Sequence, residues 1–193
     1  MTGRSVVVID ACVLANFSLC DTLLRIAEHP SLFDPKWSDE IMDETVRTLE
    51  SKLKWPRALA EHFRSELRAS FSDAWVREFH SLLPAMTNDE KDRHVLAAAV
   101  RSRASLIVTF NLRHFRSEHL LPWGIRALHP QTFLVELLRD DPGAVIAKLR
   151  LQASDRKRTL EDLLQVLKQA VPDFAISARK AAQDAGLIGP LEG

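Results

Sequence analysis

The stretch Val6-Val7-Val8-Ile9-Asp10-Ala11-Cys12-Val13-Leu14 decides the fold. Val6 to Ile9 is an unbroken β-branched run ending in a carboxylate, the pattern of a strand buried on both faces of a parallel sheet. The apolar period then changes. Val13, Leu14, Phe17, Leu24 and Ile26 fall at roughly helical spacing, so strand passes into helix within one turn of chain. Ligands of an open parallel sheet bind beyond the carboxyl ends of its strands, which makes the residue after each apolar run the one to inspect.

Working outward, Ser31 to Phe33 reads as a weak second strand. Ser38, Asp39 and Glu40 supply an N-cap and an acidic first turn for a helix to about Leu53. Two more helices are expected at about Pro56 to Phe71 and Asp73 to Leu83. Asn88 or Asp89 caps a further helix through Val95, Leu96, Ala99 and Val100 to about Arg103. Leu106 to Val108 returns as a strand ending in Thr109, Ile125 to Leu128 is a last short strand, and a helix runs from Pro130 to Arg139. Strands alternating with helices predict an α/β fold with a parallel sheet. Asp140-Asp141-Pro142-Gly143 is the clearest punctuation, and the chain beyond Gly143 is helical in pattern, with Leu160, Leu163, Leu164 and Leu167 spaced for packing. The expected organisation is one α/β domain over residues 1–139 and a helical C-terminal extension over 140–193.

The bulk numbers narrow the function classes. In 193 residues, Lys plus Arg and Asp plus Glu balance at 26 each, which argues against binding nucleic acid through overall positive charge. Any such contact is local, and arginines cluster at Arg101 and Arg103, at Arg113 and Arg116, and at Arg156 to Arg158. No apolar run is long enough to cross a bilayer, so a protein of the cytoplasm is expected. Cys12 and Cys20 match no zinc or redox spacing and read as small buried hydrophobes.

Asp10 and Thr109 lie directly after the two strongest strand runs. A carboxylate at the core edge is costly unless paired, hydrogen-bonded or bound to metal, although Asp10 reads equally as an N-cap for the next helix. Asp89 and Asp92 open the helix leading into the Thr109 strand and can reach the same edge. Asp89 is the better N-cap and Asp92 the better ligand candidate. The apolar stripe of the Ser38 helix is Met42, Val46, Leu49 and Leu53, which leaves Glu44 on roughly the opposite side as a solvated glutamate.

Over about Val6 to Arg139 these residues resemble the PIN domain family, in particular its bacterial VapC-type toxins. The resemblance rests on Val-Ile-Asp-Ala-Cys-Val-Leu at 8 to 14, on Ser38 followed by Glu44, on Asp89 and Asp92 with His94-Val95-Leu96-Ala97-Ala98-Ala99, and on Val108-Thr109-Phe110-Asn111-Leu112-Arg113-His114-Phe115. It implies a three-layer α/β/α fold and hydrolysis of RNA phosphodiester bonds with Mg²⁺ or Mn²⁺, leaving a 5′-phosphate and a 3′-hydroxyl. By position, Asp10, Glu44 and Asp92 would ligate metal, with Thr109 and Asn111 lining the site. Arg113 and Arg116, joined by Arg93, His94 and His114, would contact RNA such as tRNA or ribosomal RNA. The toxin resemblance further implies a cognate antitoxin protein, membership of a type II toxin–antitoxin pair, and homodimerisation.

The sequence departs from that pattern in one respect. A further acid common at position 111 or 114 is replaced here by Asn111 and His114, so weaker holding of a second metal is expected. The alternative function is a PIN-like module that binds RNA or protein with weakened catalysis. A haloacid-dehalogenase-like phosphatase would need an aspartate at position 12, where Cys12 stands. A receiver-like signalling domain would need an acidic pair before the first strand's aspartate and a late lysine.

Overall fold

The Val6–Ile9 run forms a strand that is the centre of the sheet, and its side chains from Val7 to Ile9 are fully buried whichever face they occupy. The computed structural model describes residues 4–189. In chain order its elements are β1 (Val6–Ile9), α1 (Ala11–Leu14), α2 (Phe17–Ala27), β2 (Asp34–Ser38), α3 (Asp39–Ser51), α4 (Arg57–Ser70), β3 (Trp75–Val76), α5 (Arg93–Arg101), β4 (Leu106–Val108), α6 (Ser117–Leu120), β5 (Arg126–Leu128), α7 (Pro130–Asp140), α8 (Pro142–Asp155), α9 (Leu160–Leu167) and α10 (Pro172–Asp184). Short 3-10 turns lie at Ser72–Ala74, His80–Ala85, Glu90–Asp92, Leu112–His114 and Leu121–Trp123.

The five strands are ordered β3-β2-β1-β4-β5 and every pair is parallel, which gives the expected α/β class. Register fixes the functional edge. Val7, Val8 and Ile9 pair with Leu106, Ile107 and Val108, so the next residue on each strand, Asp10 and Thr109, emerges beside the other. Adjacent strands lie about 4.8 Å apart, within reach of short side chains. The Asp10 N–H donates to the Val108 carbonyl at 3.1 Å, and the Thr109 N–H to that of Leu128 at 3.0 Å.

Several expected elements differ. The second strand is Asp34–Ser38, not Ser31 to Phe33, because backbone pairing of Val6 with Asp34 and Val8 with Lys36 overrides a sequence poor in strand formers. The helix expected from Asp73 to Leu83 is instead a 3-10 turn, the two-residue strand β3 and another 3-10 turn that contains Pro84. The helix expected from position 88 begins as the Glu90–Asp92 3-10 turn, and α5 itself opens at Arg93. The first expected helix is broken at Ala15 and Asn16 into α1 and α2.

Contacts divide the chain into two compact units, residues 4–16 with 33–129 and residues 17–32 with 130–189. The first holds the whole sheet with α1, α3, α4, α5 and α6. The second is all helical. Its core includes Val145, Leu149, Leu163, Leu164, Leu167, Val171 and Phe174, and Gln152, buried within it, accepts from Thr22 Oγ1 at 2.7 Å and donates to the Ser18 carbonyl at 3.1 Å. The boundary expected between residues 139 and 140 falls inside this second unit, because α7 packs on α8 and α10. Among the described residues no helix is long and apolar enough to cross a membrane.

Candidate active site

Asp10 is 3% exposed and fully engaged. Its Oδ1 accepts the Ala11 N–H at 2.7 Å, capping α1, while Oδ2 accepts the Thr109 hydroxyl at 2.6 Å and the Cys12 thiol at 3.1 Å. Both readings of Asp10 thus hold at once, cap and core-edge acid. Thr109 Oγ1 in turn accepts the Asn111 N–H at 2.9 Å, which ties the chain beyond β4 to the carboxylate. Cys12 lies in the same knot, 3.5 Å from Thr109 Oγ1 and accepting the Phe110 N–H at 3.4 Å. It is a half-buried polar group and not the inert hydrophobe expected; both cysteines are free thiols. Burial, and then the charge of Asp10, push the Cys12 thiol up to about 12, so it stays protonated and donates.

The 3-10 turn at Glu90–Asp92 delivers the second acid. Asp92 stands at the N-cap position of α5 but makes no capping bond with its side chain, which is free to face the site. Its Oδ2 meets His114 Nδ1 at 2.6 Å, and His114 Nε2 accepts the Arg113 Nε–H at 3.0 Å. Asp89 caps the turn through the Lys91 N–H at 3.1 Å, and ligand atoms of Asp89, Asp92 and His114 all lie within 4.8 Å of one another. Glu44 reaches in from α3, with Oε1 3.8 Å from His94 Nε2, too far for a hydrogen bond.

The electrostatics link these groups. Burial raises the Asp92 carboxyl above its ordinary value against the lowering bond from His114, and the charge of Asp10 raises it further. Burial also raises Glu44; His94 opposes this and the charges of Asp10 and Asp92 add to it. Glu44 therefore feels the charges of Asp10 and Asp92, and Asp92 those of Asp10 and Asp89, so a cation among them would relieve both the burial and the repulsion. The donors on offer are carboxylate, hydroxyl and amide oxygens, a hard set suited to Mg²⁺ or Mn²⁺.

The other expected contributors are placed unevenly. Asn111 is half-buried and adjoins Thr109, and its side-chain amide has no hydrogen bond among the described residues. Arg113 is exposed and bound to His114. Arg93 is half-buried, and its Nε has no partner among the described residues. Arg116 is 70% exposed and among the described residues reaches Glu118 alone, at 4.0 Å, with no contact there to the acids. Sequence reasoning missed Cys12; its place two residues beyond a strand-ending aspartate was the available signal. It also missed the pairing of Glu44 with His94, because apolar periodicity reports only the face of α3 that turns to the core.

An all-parallel sheet with a buried aspartate beyond β1, a hydroxyl beside it beyond β4 and a half-buried aspartate at the start of α5 is the architecture of a PIN domain. The chain belongs to that family: residues 6–113 match it, a span that contains Asp10, Glu44, Asp92, Thr109 and Asn111. A Mycobacterium tuberculosis protein named "Putative ribonuclease VapC50" is 40% identical to it over 135 residues, covering 67% of this chain and 79% of the relative. No solved structure matches the chain at comparable significance.

Proposed function

We propose that the chain is a metal-dependent endoribonuclease that hydrolyses RNA phosphodiester bonds, and that it is the toxin of a type II toxin–antitoxin pair in the cytoplasm. The observation that carries this reading is the set of mutually repelling, half-buried and buried carboxylates at the strand ends of a PIN domain, which nothing in folding alone requires. The name of the mycobacterial relative supports it.

Asp10, Glu44 and Asp92 would hold Mg²⁺, with Mn²⁺ able to substitute. Bound there, the cation supplies charge against that building on the phosphoryl oxygens and makes water a better nucleophile. The chain's own groups do the rest. The Ala11 N–H, the Thr109 hydroxyl and the Cys12 thiol fix both oxygens of Asp10 before any ligand arrives. The Asn111 amide is available to hold water or a phosphate oxygen. Arg113, and more peripherally Arg93 and Arg116, take the RNA backbone, so affinity falls as salt rises without sequence preference. In this reading residues 1–139 carry the nuclease chemistry, and the extension at 140–193 is a surface for antitoxin, RNA or a second copy. The site's concentrated negative charge suits inhibition by an arginine from the antitoxin.

A second reading, a PIN-like binding module, has one observation in its favour: neither Asn111 nor His114 supplies a further acid. Cleavage of labelled tRNA and ribosomal RNA fragments with Mg²⁺, Mn²⁺ or EDTA separates the two. The nuclease reading expects cleavage that needs metal and disappears in Asp10→Asn and Asp92→Asn. Metal binding with no cleavage of any RNA would favour the binding module.

A further inference from the structure

The turn that joins α3 to α4, Ser51-Lys52-Leu53-Lys54-Trp55-Pro56-Arg57-Ala58-Leu59-Ala60, carries cations and no acid. Lys52, Lys54 and Arg57 are all exposed, and the side chain of none makes a hydrogen bond or ion pair among the described residues. Their surroundings do not neutralise them. Asp43 is bonded by Arg64, and Glu61, one helical turn from Arg57 on α4, lies 3.8 Å from that same Arg64. Helix dipoles do not account for the charges either: Lys52 and Lys54 suit the end of α3, but Arg57 opens α4, where a cation is disfavoured.

The turn is held by its own bonds. The Lys52 and Leu53 N–H groups reach back to the Thr48 carbonyl at 3.0 and 3.3 Å, and the Trp55 N–H to that of Leu49 at 3.0 Å. Trp55 packs edge to face with Phe63, ring centroids 6.2 Å apart, against a cluster that includes Val46, Leu49 and Ala60. Cations held this way need little ordering to meet a ligand, and half-buried Trp55 and exposed Leu53 interleave apolar surface with them along the sequence.

The same helix leads to the acids. Along the axis of α3, Glu44 and Lys52 are about 12 Å apart, roughly three to four nucleotides of one strand at about 3.4 Å each. Arg47, one turn from Glu44, stands between them and lines a groove of about 450 Å³ with Arg57. A strand whose scissile phosphate lies at the acids can therefore reach the turn. An acidic polypeptide would answer the charge alone, whereas cations interleaved with an aromatic and an aliphatic side chain answer both the phosphates and the bases of a single strand.

We propose that Lys52, Lys54 and Arg57 form a docking surface for single-stranded RNA, which holds backbone phosphates a few nucleotides from the bond cut at the acids. The position of the cut rests on the nuclease reading above; binding at the turn does not.

Fluorescence anisotropy of a labelled single-stranded RNA with the full chain in EDTA, where metal-dependent cleavage is blocked, reads the contact across a KCl series. Lys54 has φ 58°, so its charge is removed as Lys54→Gly, which relaxes the backbone, while Lys52→Ala and Arg57→Ala fall at exposed positions. The triple variant should bind at least about tenfold more weakly at low salt, and its slope of log K against log salt should become shallower by about 2, roughly 0.7 for each phosphate lost. Each single variant should account for about 0.7 of slope, which keeps the test readable if the triple variant misfolds. Removing exposed cations from the helical unit instead, as Arg150→Ala, Lys168→Ala and Lys180→Ala together, should change affinity by less than about threefold. An unchanged slope in the turn variants, an equal loss in the helical-unit variant, or a wild-type protein that binds no RNA overturns the proposal. So does polyglutamate that competes for the turn better than RNA does, which would make it a surface for an acidic protein. RNA bound through the turn but left intact when Mg²⁺ is added would uphold the docking surface and remove the nuclease reading.

Discussion

The helical unit and the sheet unit each place aspartates at helix starts, to opposite effect. At the start of α9, Asp162 accepts the Thr159 hydroxyl at 2.7 Å and the Thr159 N–H at 3.1 Å, while Thr159 Oγ1 accepts the Asp162 N–H at 3.1 Å; these bonds hold the carboxyl below its ordinary value. This is a reciprocal capping box, and it stabilises the helix by satisfying donors that have no partner along the chain. At the start of α5, Asp92 forgoes capping, is pushed up by burial and by Asp10, and gives its bond to a histidine. One acid serves the fold, whereas the other is held by the fold at a cost.

The largest effect should come from Asp10. Asp10→Asn keeps its carbonyl oxygen for the Ala11 N–H and turns its NH₂ toward the Thr109 hydroxyl, which can accept, so the fold should persist by circular dichroism. Metal-supported cleavage should fall by more than about 100-fold, since removing even a partner of a metal ligand costs about 10- to 100-fold. Unchanged cleavage would remove Asp10 from the site.

The contrast is sharpened next by pH. A carboxyl raised in the folded state stabilises folding most when protonated; that contribution is complete below the ordinary carboxylate range and is lost as pH climbs through the raised value. Both Glu44 and Asp92 are raised. In metal-free protein, Asp92→Asn and Glu44→Gln should therefore raise Tm by a few degrees at about pH 7 and by much less near about pH 4, while weakening Mn²⁺ binding. Equal Tm gains at both pH values would mean that charge is not the cause.

How much of this was readable in sequence also differs between the two regions. The Val6–Ile9 run and the Leu106–Val108 return announced the two central strands, and register alone then carried Asp10 to Thr109. β3 was not readable, because two residues leave no period, and Trp75 and Val76 are strand only through pairing with Trp37 and Ser38. β2 was misplaced because its Asp-Pro-Lys-Trp-Ser sequence has no strand preference of its own. In the site, Asp10 and Asp92 came from position, whereas Glu44 faces a polar cluster that leaves no apolar stripe. Among the described residues the helical unit forms three helices after Asp141, where the leucine spacing implied helix without fixing a number, and nothing in sequence tied α2 to them.

A smaller effect tests the other half of the comparison. Thr159→Ala should cost about 1 kcal/mol of stability, the usual value of an N-cap, in urea unfolding, and leave cleavage of RNA unchanged. A loss of cleavage in a folded variant would give the helical unit a part in catalysis.

The smallest expected effect lies at the helix ends. α8 and α10 close in the same way: the Arg158 N–H reaches back to the Ala153 carbonyl at 2.9 Å, and the Leu187 N–H to that of Ala182 at 2.9 Å. Each leaves the residue before it in the left-handed region, Lys157 at φ 53° and Gly186 at φ 69°. Glycine takes that conformation without the Cβ clash that lysine bears, and a helix C-terminus returns to lysine only a modest favourable interaction with the dipole. Lys157→Gly should thus stabilise the protein by about 0.5 kcal/mol despite the added freedom of its unfolded chain, and Gly186→Ala should destabilise it by about 1 kcal/mol. If Lys157→Gly were instead destabilising, the ammonium would be supplying more than the backbone costs, and its place beside Arg156 and Arg158 would then call for a salt titration of RNA binding.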